Sequence, residues 1–541
     1  MITSTNNPAL CTLCPALCGL ELTWQGPDLP RAEFPQQAGT GLCPRGSALG
    51  ELLASPARIR WPQRREGSAW RELSQAEALA AAAGAMAGGA VVLFDGNVSI
   101  EELAQLARIG SAWPKIALCP VVLPEDEQAL LGVEASGANY LADRELAQCD
   151  GFLIVGDAFA ANPRLARHVF DAVRAGKRVP VVCIDSGGGV TGNFATQMIA
   201  CPAGGELAAL QDPKTAAALG STQRLGVVLA PQAMRGAIWQ RVAFLGGKLA
   251  LAHGGGVAVA TGGANALAAV RARRHYGWMS LASALDPSDS RPRICLGADV
   301  LGMLGWSGPG MALAAAPLPN QTTALAQIVL PLALPCEVGG SYLQAGREAV
   351  MVGAMMNPPA GSPTVSGLLA MLAQAAGVSA AGSAAASSLL ERVRVAEPAD
   401  APPAGSTGVS PVQHQSCECG NSQAGRLCYP QLVLTPLAMH QADGSLSGHA
   451  SWQRQAMPLS QVLMSAADAA QLGLEPMDVV TVKTGSGSAE ARVRVVANLA
   501  AGTLAITPGD PQVRRLSPYA IDARRDALVS NPVLVEVVKT D

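Results

Sequence analysis

Short apolar runs that alternate with Ala- and Leu-rich helical patterns constrain the fold of this chain more than any other feature of its sequence. The runs include AVVLFDG, KIALC, GFLIVGDAF, PVVCID, LGVVLA, GVAVATGG, RICLGAD and QIVLP, and several of them end in Gly or Asp. Strands that alternate with helices are typical of parallel sheets that are covered by helices. The sequence therefore predicts an α/β fold whose ligands bind at the loops that follow the strands.

The composition changes after about residue 375. The segment 376–428 is rich in Ala, Ser, Gly and Pro, which is typical of a linker. After it come the closely spaced strand patterns LVLTPLA, VVTVKTG, AEARVRVVA and GTLAITPG, with one helical pattern, SAADAAQLGL. This density of strands predicts a compact β-barrel-like domain at the end of the chain. A length of 541 residues fits this division, since it is enough for roughly three or four domains.

The composition argues against nucleic acid and membrane lipid as partners. Only 15% of the residues are charged and the net charge is −3, so we expect no basic surface for either. The most apolar windows contain Gly or Pro at turn positions, so they predict buried helices and strands and no membrane span. The densest basic cluster, RARRHYGW at residues 271–278, predicts a solvated helix face or a subunit contact. The low overall charge also predicts surfaces that are buried against partner subunits.

Near its N-terminus the chain carries Cys11, Cys14 and Cys18 in CTLCPALC, and Cys43 follows in GTGLCPRG. The N-terminal sequence shows no export signal, and an odd number of cysteines, 13 in all, is typical of thiols and metal ligands in the cytoplasm. Four thiolates at this spacing can hold a 4Fe-4S cluster or a tetrahedral zinc ion. The spacing alone leaves both centres open, and we favour the cluster.

A second group of metal-ligating residue types follows the predicted linker. The stretch HQSCECGNSQAGRLC contains His414, Cys417, Cys419 and Cys428. One histidine and three cysteines could form a mixed nitrogen and sulfur metal site or hold a second cluster. The alternative is a group of cysteines that binds no metal and faces a partner. The spacing matches no standard motif, so both interpretations stay open.

Taken together, these segments resemble the molybdopterin oxidoreductase family, which includes formate dehydrogenases, nitrate reductases and the cofactor-free large iron-sulfur subunit of respiratory complex I. CTLCPALCGL with GTGLCPRG is similar to the N-terminal cluster domain of the family, and CDGFLIVGDAFAANPR and PVVCID are similar to its strand-loop segments. ALAQIVLPLALPCEVGGSYLQAGREAV resembles the complex I branch, and LVLTPLAMHQADGSLS resembles the start of the C-terminal barrel. The resemblance covers nearly the whole chain, in the order that the family has.

The resemblance implies an α/β protein with an N-terminal 4Fe-4S domain, two Rossmann-like α/β domains with parallel sheets, and a C-terminal β-barrel of the double-psi type. The implied ranges are 1–60 for the cluster domain, 61–220 with 330–375 for the first α/β domain, 221–329 for the second, 376–428 for the linker with its cysteine group, and 429–541 for the barrel.

The resemblance also implies roles for individual residues. The four N-terminal cysteines would hold a cluster that relays electrons. Arg45 stands where the family commonly has a lysine between the cluster and the pterin, so the charge is kept but the donor geometry differs. Gly156 and Asp185 stand at the ends of two strands of the implied cofactor-binding sheets, and Gly444 and Ser445 stand in the barrel loop that touches the pterin in the family.

Two departures from the family pattern bear on catalysis. Catalytic members supply a ligand to molybdenum or tungsten from a loop, and the candidate here is Cys119 in KIALCPVVLPEDE. The alternative interpretation of Cys119 is a buried cysteine at the end of a strand, which we favour. The second departure is CIDSGGGVTGN, in which glycines stand where the family usually has the arginine of DPRxTxTA that meets the guanine dinucleotide.

Two functions follow from these expectations. In the favoured one, the chain is an electron-transfer and scaffold subunit that keeps the fold and has lost the metal-pterin site. It would work in the cytoplasm with other redox subunits, which could attach it to the inner membrane. In the alternative, the chain is an enzyme with a Mo or W bis-pterin guanine dinucleotide cofactor, and it acts on a small substrate such as formate. Whether Cys119 faces a cavity or packs into a core distinguishes the two.

Overall fold

The computed structural model of the protein describes residues 9–23, 30–33, 43–175, 179–186, 189–201, 204–231, 236–305, 310–344, 346, 348–380, 389, 391–398, 428–429, 431–434, 449, 460–506, 511–522, 526–529 and 533–540.

The strands of the described ranges are β1 (Ala9–Leu10), β2 (Gly19–Thr23), β3 (Arg31–Glu33), β4 (Gln63–Glu66), β5 (Ala69–Glu72), β6 (Ala90–Asp95), β7 (Ile116–Val121), β8 (Gly151–Val155), β9 (Val181–Asp185), β10 (Gln197–Ala200), β11 (Leu225–Leu229), β12 (Gly256–Val259), β13 (Arg293–Leu296), β14 (Leu313–Ala316), β15 (Ile328–Pro331), β16 (Gly340–Gln344), β17 (Glu348–Val352), β18 (Cys428–Tyr429), β19 (Gln431–Leu434), β20 (Ser460–Ser465), β21 (Val479–Thr484), β22 (Gly487–Val496), β23 (Thr503–Ile506), β24 (Ala520–Asp522), β25 (Ala527–Val529) and β26 (Val535–Lys539).

The α-helices of the described ranges are α1 (Pro44–Ser47), α2 (Leu49–Leu53), α3 (Gln75–Met86), α4 (Ile100–Ala112), α5 (Pro124–Ser136), α6 (Asp143–Leu146), α7 (Ala158–Ala161), α8 (Pro163–Arg174), α9 (Glu206–Gln211), α10 (Pro213–Leu219), α11 (Gly236–Ala252), α12 (Ala266–Tyr276), α13 (Leu281–Ala284), α14 (Val300–Leu304), α15 (Gln321–Leu325), α16 (Val365–Ala375), α17 (Ala466–Leu472) and α18 (Pro511–Leu516).

Local sequence signals start several of these helices. Ser74 accepts a hydrogen bond from the backbone of Glu77, whose side chain binds the backbone of Ser74 in return, so a capping box begins α3. Ser99 caps α4 by accepting a hydrogen bond from the Glu102 N–H with its hydroxyl. Asn162 caps α8, and Pro163 occupies the first helical position, where its missing N–H costs nothing.

The first large sheet has the strand order β5-β4-β15-β14-β13-β6-β7. The five strands from β15 to β7 are parallel, and the antiparallel hairpin of β4 and β5 is added at one edge. Strands such as β13 and β15 are buried at every residue because helices cover both faces of the sheet. The predicted α/β class with parallel sheets is confirmed.

The second sheet, β10-β9-β8-β11-β12, is parallel throughout and is formed only by residues between β7 and β13. The grouping of the strands into sheets differs from the domain ranges that the sequence predicts. A boundary at residue 220 would separate β8 from β11, yet these strands pair from Leu225 with Gly151 to Leu229 with Val155. The strands β13 and β14, which the prediction gives to the second domain, pair between β6 and β15 in the first sheet because their register there buries both of their faces.

The C-terminal part is rich in strands, as the sequence predicts. Its sheet has the order β18-β26-β21-β22-β20-β23-β19, with mixed parallel and antiparallel pairs. Alternate residues of β20, β21 and β22 point into a separate apolar core, which includes Val462, Val480 and Val493.

Part of the segment predicted to be a linker packs against the α/β domains. Leu389 is fully buried in the main core, and the backbone N–H of Val393 donates to the Glu134 carboxylate at 2.9 Å. Arg241 donates to the carbonyl of Pro398 at 3.1 Å. The described residues from 389 to 398 therefore line the surface of the α/β domains and do not form a free tether there.

The basic cluster at residues 271–278 is also more buried than the sequence predicts. Arg271 is buried on α12 and forms an ion pair with Glu134 on α5 at 2.9 Å, with both side chains at 1% exposure or less. The aromatic rings of Tyr276 and Trp278 pack at a tilt of 35°, and Trp278 also packs edge-on against Phe94 of β6. The prediction of a solvated helix face is therefore wrong for Arg271, because a carboxylate that is distant in the sequence neutralises it inside the core. Within the described ranges, no helix is long and apolar enough to cross a membrane.

Candidate functional site

A short antiparallel hairpin presents three of the four N-terminal cysteines. The strands β1 and β2 pair, and the loop between them closes with a hydrogen bond from the Cys11 N–H to the Cys18 carbonyl at 2.7 Å. A second bond runs from Leu17, which has a positive φ of 42°, to the carbonyl of Cys14 at 3.3 Å. The loop folds the three cysteines into one buried cluster with apolar side chains that include Leu20.

The fourth cysteine lies next to the same loop. Cys43 is half-buried and stands at the N-cap of α1. Burial raises the pKa of Cys11, of Cys14 and, to about 11, of Cys18, and the charge of the Cys43 thiolate raises each of them further. The four thiols are therefore near enough to oppose one another's ionisation, which a bound metal centre would relieve. No three His, Cys, Asp or Glu side chains of the described ranges are arranged to hold a metal ion, so the cluster stays a prediction.

Two arginines face the cysteine loop. The Arg45 guanidinium is buried, donates to the carbonyl of Ala160 at 3.2 Å, and lowers the pKa of Cys14 against the larger effect of burial. Arg164 donates from Nη1 to the carbonyl of Ala16 at 3.0 Å and to the Cys18 Sγ at 3.9 Å. Positive charge of this kind favours the thiolate form that a metal requires.

Sequence reasoning missed the contact of Arg164. The residue stands at the end of CDGFLIVGDAFAANPR, the stretch quoted for its resemblance, and Pro163 in that stretch marks the start of a helix after a strand. A cation in the first turn of a helix is electrostatically unfavourable, because it meets the positive end of the helix dipole. That conflict was the available signal that Arg164 serves an interaction outside its own helix.

A cleft opens at the carboxyl ends of β6, β13, β14 and β15, where ligands bind in α/β sheets. Its polar lining residues are Asp95, Asn97, Glu102, Asn320 and Tyr342. Burial raises the pKa of Glu102 and of Tyr342. This cleft is next to the cysteine loop, because the amide of Asn97 donates to the backbone carbonyl at position 12 with a distance of 2.7 Å.

A second cleft lies at the carboxyl end of β12 in the other parallel sheet. Pro15 and Ala16 of the cysteine loop line it, together with the polar side chains of Tyr140, Asn162 and Thr261. The cysteine loop therefore borders both clefts, each of which belongs to a different sheet.

The structure places Gly156 and Asp185 at the carboxyl edge of the second sheet. Gly156 follows β8 with a φ of 86°, and a Cβ there would lie 2.3 Å from the carbonyl oxygen of Ala230. Asp185 is the buried last residue of β9. Between them, the carboxylate of Asp157 accepts backbone hydrogen bonds from Val190 and Thr191, both at 2.9 Å. An aspartate thus secures the chain after β9, where the sequence departs from the family's arginine-containing loop.

Cys119 packs into the core. It is fully buried in β7, pairs across the sheet with Leu93, and contacts an apolar cluster that includes Cys295. Burial raises its pKa, and the negative charge of Glu127 raises it further. Cys119 lines neither cleft, and this arrangement supports its interpretation as a buried structural cysteine.

The comparisons with known proteins concern the C-terminal domain and the fold as a whole. Residues 432–530 match the family model of the molydopterin dinucleotide binding domain. The fold of the chain is similar to that of acetylene hydratase from Pelobacter acetylenicus, with a TM-score of 0.67, 12% sequence identity, and coverage of 99% of this chain and 100% of that one. The match over residues 432–530 confirms the expected resemblance for the C-terminal domain, and the structural similarity confirms it for the fold. At this identity the structural similarity establishes the fold alone. A comparison with curated proteins gave no match.

The residues that surround the two clefts fit the pterin cofactor of the molybdopterin oxidoreductase family poorly. The match of residues 432–530 supports binding of such a cofactor. However, the lining residues that the structure describes include no Lys or Arg that could neutralise the phosphates of a dinucleotide, and the first cleft carries the acids Asp95 and Glu102. Gly444 and Ser445, which the resemblance assigns to the pterin, lie outside the described residues.

The second group of predicted ligands is described only at one end. His414, Cys417 and Cys419 lie outside the described residues, and Cys428 is described only as part of β18. A metal site there stays a prediction. Further along the chain, Nε2 of His449 lies 2.9 Å from the carbonyl oxygen of Pro319, in the segment between β14 and α15 that lines the first cleft.

Proposed function

We propose that the chain is an iron-sulfur electron-transfer and scaffold subunit of a multisubunit oxidoreductase, built on the molybdopterin oxidoreductase fold and without a working Mo or W site. The observation that carries this proposal is the environment of the cysteine loop. Three thiols of one buried loop lie near the Cys43 thiol and two guanidinium groups. By contrast Cys119, the candidate ligand for Mo or W, is enclosed in an apolar core.

In this function Cys11, Cys14, Cys18 and Cys43 hold the iron as thiolates. The cluster, when bound, supplies one-electron transfer. The side chains around it have two further effects. Apolar residues packed with the cysteines exclude water from the sulfurs, and exclusion of water tunes the potential of a metal centre. They include Leu13, Leu20, Leu49, Leu52, Leu318 and Leu334. The nearby arginines offset the negative charge of four thiolates.

A second candidate function is catalysis with a Mo or W bis-pterin guanine dinucleotide. The match of the C-terminal domain to a dinucleotide binding domain favours it, as does an acidic cleft beside the cysteine loop. Catalysis would need a metal ligand other than Cys119 and cations outside the described lining residues. For these reasons we place it second.

A partner subunit has a suitable surface on the hairpin of β4 and β5. Trp61 is 61% exposed and Trp70 is 38% exposed, and Arg65 stacks 4.5 Å from the ring centre of Trp70. Strand β5 is exposed at every residue and stands at the edge of its sheet. Trp and Arg dominate the binding energy of many interfaces, and exposed Arg60 and Arg64 add positive charge. We propose that an acidic surface of a partner redox subunit docks here, in a cytoplasmic complex that reaches the inner membrane only through its partners.

Metal analysis of the complex, purified from its native host without oxygen, tests the proposal. We expect about four irons per chain, with no Mo, W or pterin; roughly eight would also assign a cluster to the 414–428 group. Cys14→Ser should lose most of the iron and its visible absorbance, whereas the matched control Cys119→Ala should keep both. Stoichiometric Mo or W with pterin would establish the second candidate instead, and unchanged iron in Cys14→Ser would overturn the assignment of the cysteine loop.

A further inference from the structure

Arg164 reaches the cysteine loop from a different domain. It belongs to the first turn of α8, which follows β8 of the second sheet. The side chain of Asn162 fixes the start of this helix by accepting a hydrogen bond from the Arg164 N–H at 3.1 Å. From this fixed position one nitrogen, Nη1, donates both to the carbonyl of Ala16 at 3.0 Å and to the Sγ of Cys18 at 3.9 Å. The contact therefore fastens the backbone of the loop and places a positively charged guanidinium beside the Cys18 sulfur.

The two arginines at the loop are not equivalent. Arg45 comes from α1, acts on Cys14, and occupies the position that the family resemblance already marks. Arg164 acts on Cys18 by both its charge and its hydrogen bond, and both oppose the effect of burial on the pKa of that thiol. Cys18 thus has its own source of positive potential, supplied by the helix that follows β8 of the second sheet.

We propose that Arg164 is a positioning residue that raises the reduction potential of the cysteine-bound cluster and holds its loop, an inference that rests on the proposed function. Reduction by a partner redox subunit adds one electron to the cluster, so the product is more negative by one charge. A guanidinium in contact with a ligand sulfur stabilises that product more than the oxidised form. A hydrogen bond to the sulfur acts in the same direction.

The experiment is a potentiometric titration of the anaerobically purified complex, followed by electron paramagnetic resonance, with iron measured in every sample. Arg164→Gln removes the charge and keeps a hydrogen-bonding side chain, and Arg164→Lys keeps the charge. The matched control is Arg167→Gln, because Arg167 lies on the same helix but is 67% exposed and pairs only with Asp171 in the described ion pairs. We expect the midpoint potential to fall in Arg164→Gln, to fall less in Arg164→Lys, and to stay unchanged in Arg167→Gln.

Each outcome decides the proposal. Full iron with an unchanged midpoint potential in Arg164→Gln would overturn it. If Arg164→Gln fails to keep iron, Arg164→Lys decides: restored iron supports a role for the charge at the loop, and failure to restore it overturns that role. Wild-type protein without iron would instead refute the proposed function, so the two failures are distinguishable.

Discussion

Replacement of Arg271 by methionine should destabilise the contact between α5, α12 and the segment that follows α16. The Arg271 guanidinium donates to the Glu134 carboxylate at 2.9 Å and to the carbonyl of Gly346 at 2.7 Å. The other oxygen of Glu134 accepts the N–H of Val393 at 2.9 Å. The side chains of the ion pair are 1% and 0% exposed. One guanidinium therefore neutralises a carboxylate that joins three distant parts of the chain.

The size of the effect follows from burial. A carboxylate that stays in the core without its cation costs about 3–5 kcal/mol. Since about 1.4 kcal/mol corresponds to a factor of ten, even the lower figure should increase opening at this site roughly a hundredfold. Hydrogen exchange at the Val393 amide measures this opening directly, because that N–H is bound to Glu134.

Two controls make this expectation specific. Arg167→Met breaks an exposed ion pair and should lower the free energy of unfolding by no more than about 1 kcal/mol. The double variant Arg271→Met with Glu134→Gln removes the unpaired charge and should recover much of the lost protection, since glutamine still offers an oxygen to Val393. The reasoning is refuted if Arg271→Met exchanges at the wild-type rate, or if the double variant is no better protected than Arg271→Met alone.

Three further outcomes are expected. Burial raises the pKa of Asp126 well above its ordinary value, so its ionisation should lower the free energy of unfolding as the pH rises from about 4. Asp126→Asn should therefore shift the denaturation midpoint upward at neutral pH, by an amount that shrinks towards pH 4. A shift independent of pH would contradict this. Gly156→Ala should lower the free energy of unfolding more than Gly137→Ala does, because both glycines have positive φ but only Gly156 is crowded by backbone atoms. Gly137→Ala should cost about 1–2 kcal/mol. Equal losses in the two variants would count against the argument. Trp61→Ala with Trp70→Ala should abolish co-purification of the proposed partner subunit while the circular dichroism spectrum stays unchanged, and a wild-type yield of that partner would rule out the hairpin as its docking surface.

The strands of the two α/β sheets were predictable because each one carries its own signal. The runs that became β6, β8 and β9 are apolar and β-branched, and each ends at a Gly or Asp that starts a loop. The order of the strands was not predictable in the same way. The pairing of β13 with β6 joins residues about 200 positions apart, such as Ile294 with Val92, and no local pattern encodes such a partner.

The candidate site shows the same division. The spacing of four cysteines is a local pattern, so they could be named from the sequence. The contact of Arg164 with Cys18 spans 146 positions and depends on how two domains pack. Arg271 looked like part of a solvated basic cluster because its partner, Glu134, is 137 positions away. Local motifs thus identify the residue types of a site, whereas the groups that tune its charge emerge only from the tertiary fold.

The interleaved order of the two sheets has a consequence for biosynthesis. The apolar wall around Cys11, Cys14 and Cys18 includes Leu318 and Leu334, and the strand between them completes the first sheet. A ribosome that adds about 5–20 residues per second therefore exposes the cysteine loop on the order of tens of seconds before it produces this wall. During that interval the thiols are accessible both to oxidants and to any factor that delivers iron. If the loop holds the proposed cluster, the competition between these two reactions, and not the final fold alone, should set how much of the protein receives it.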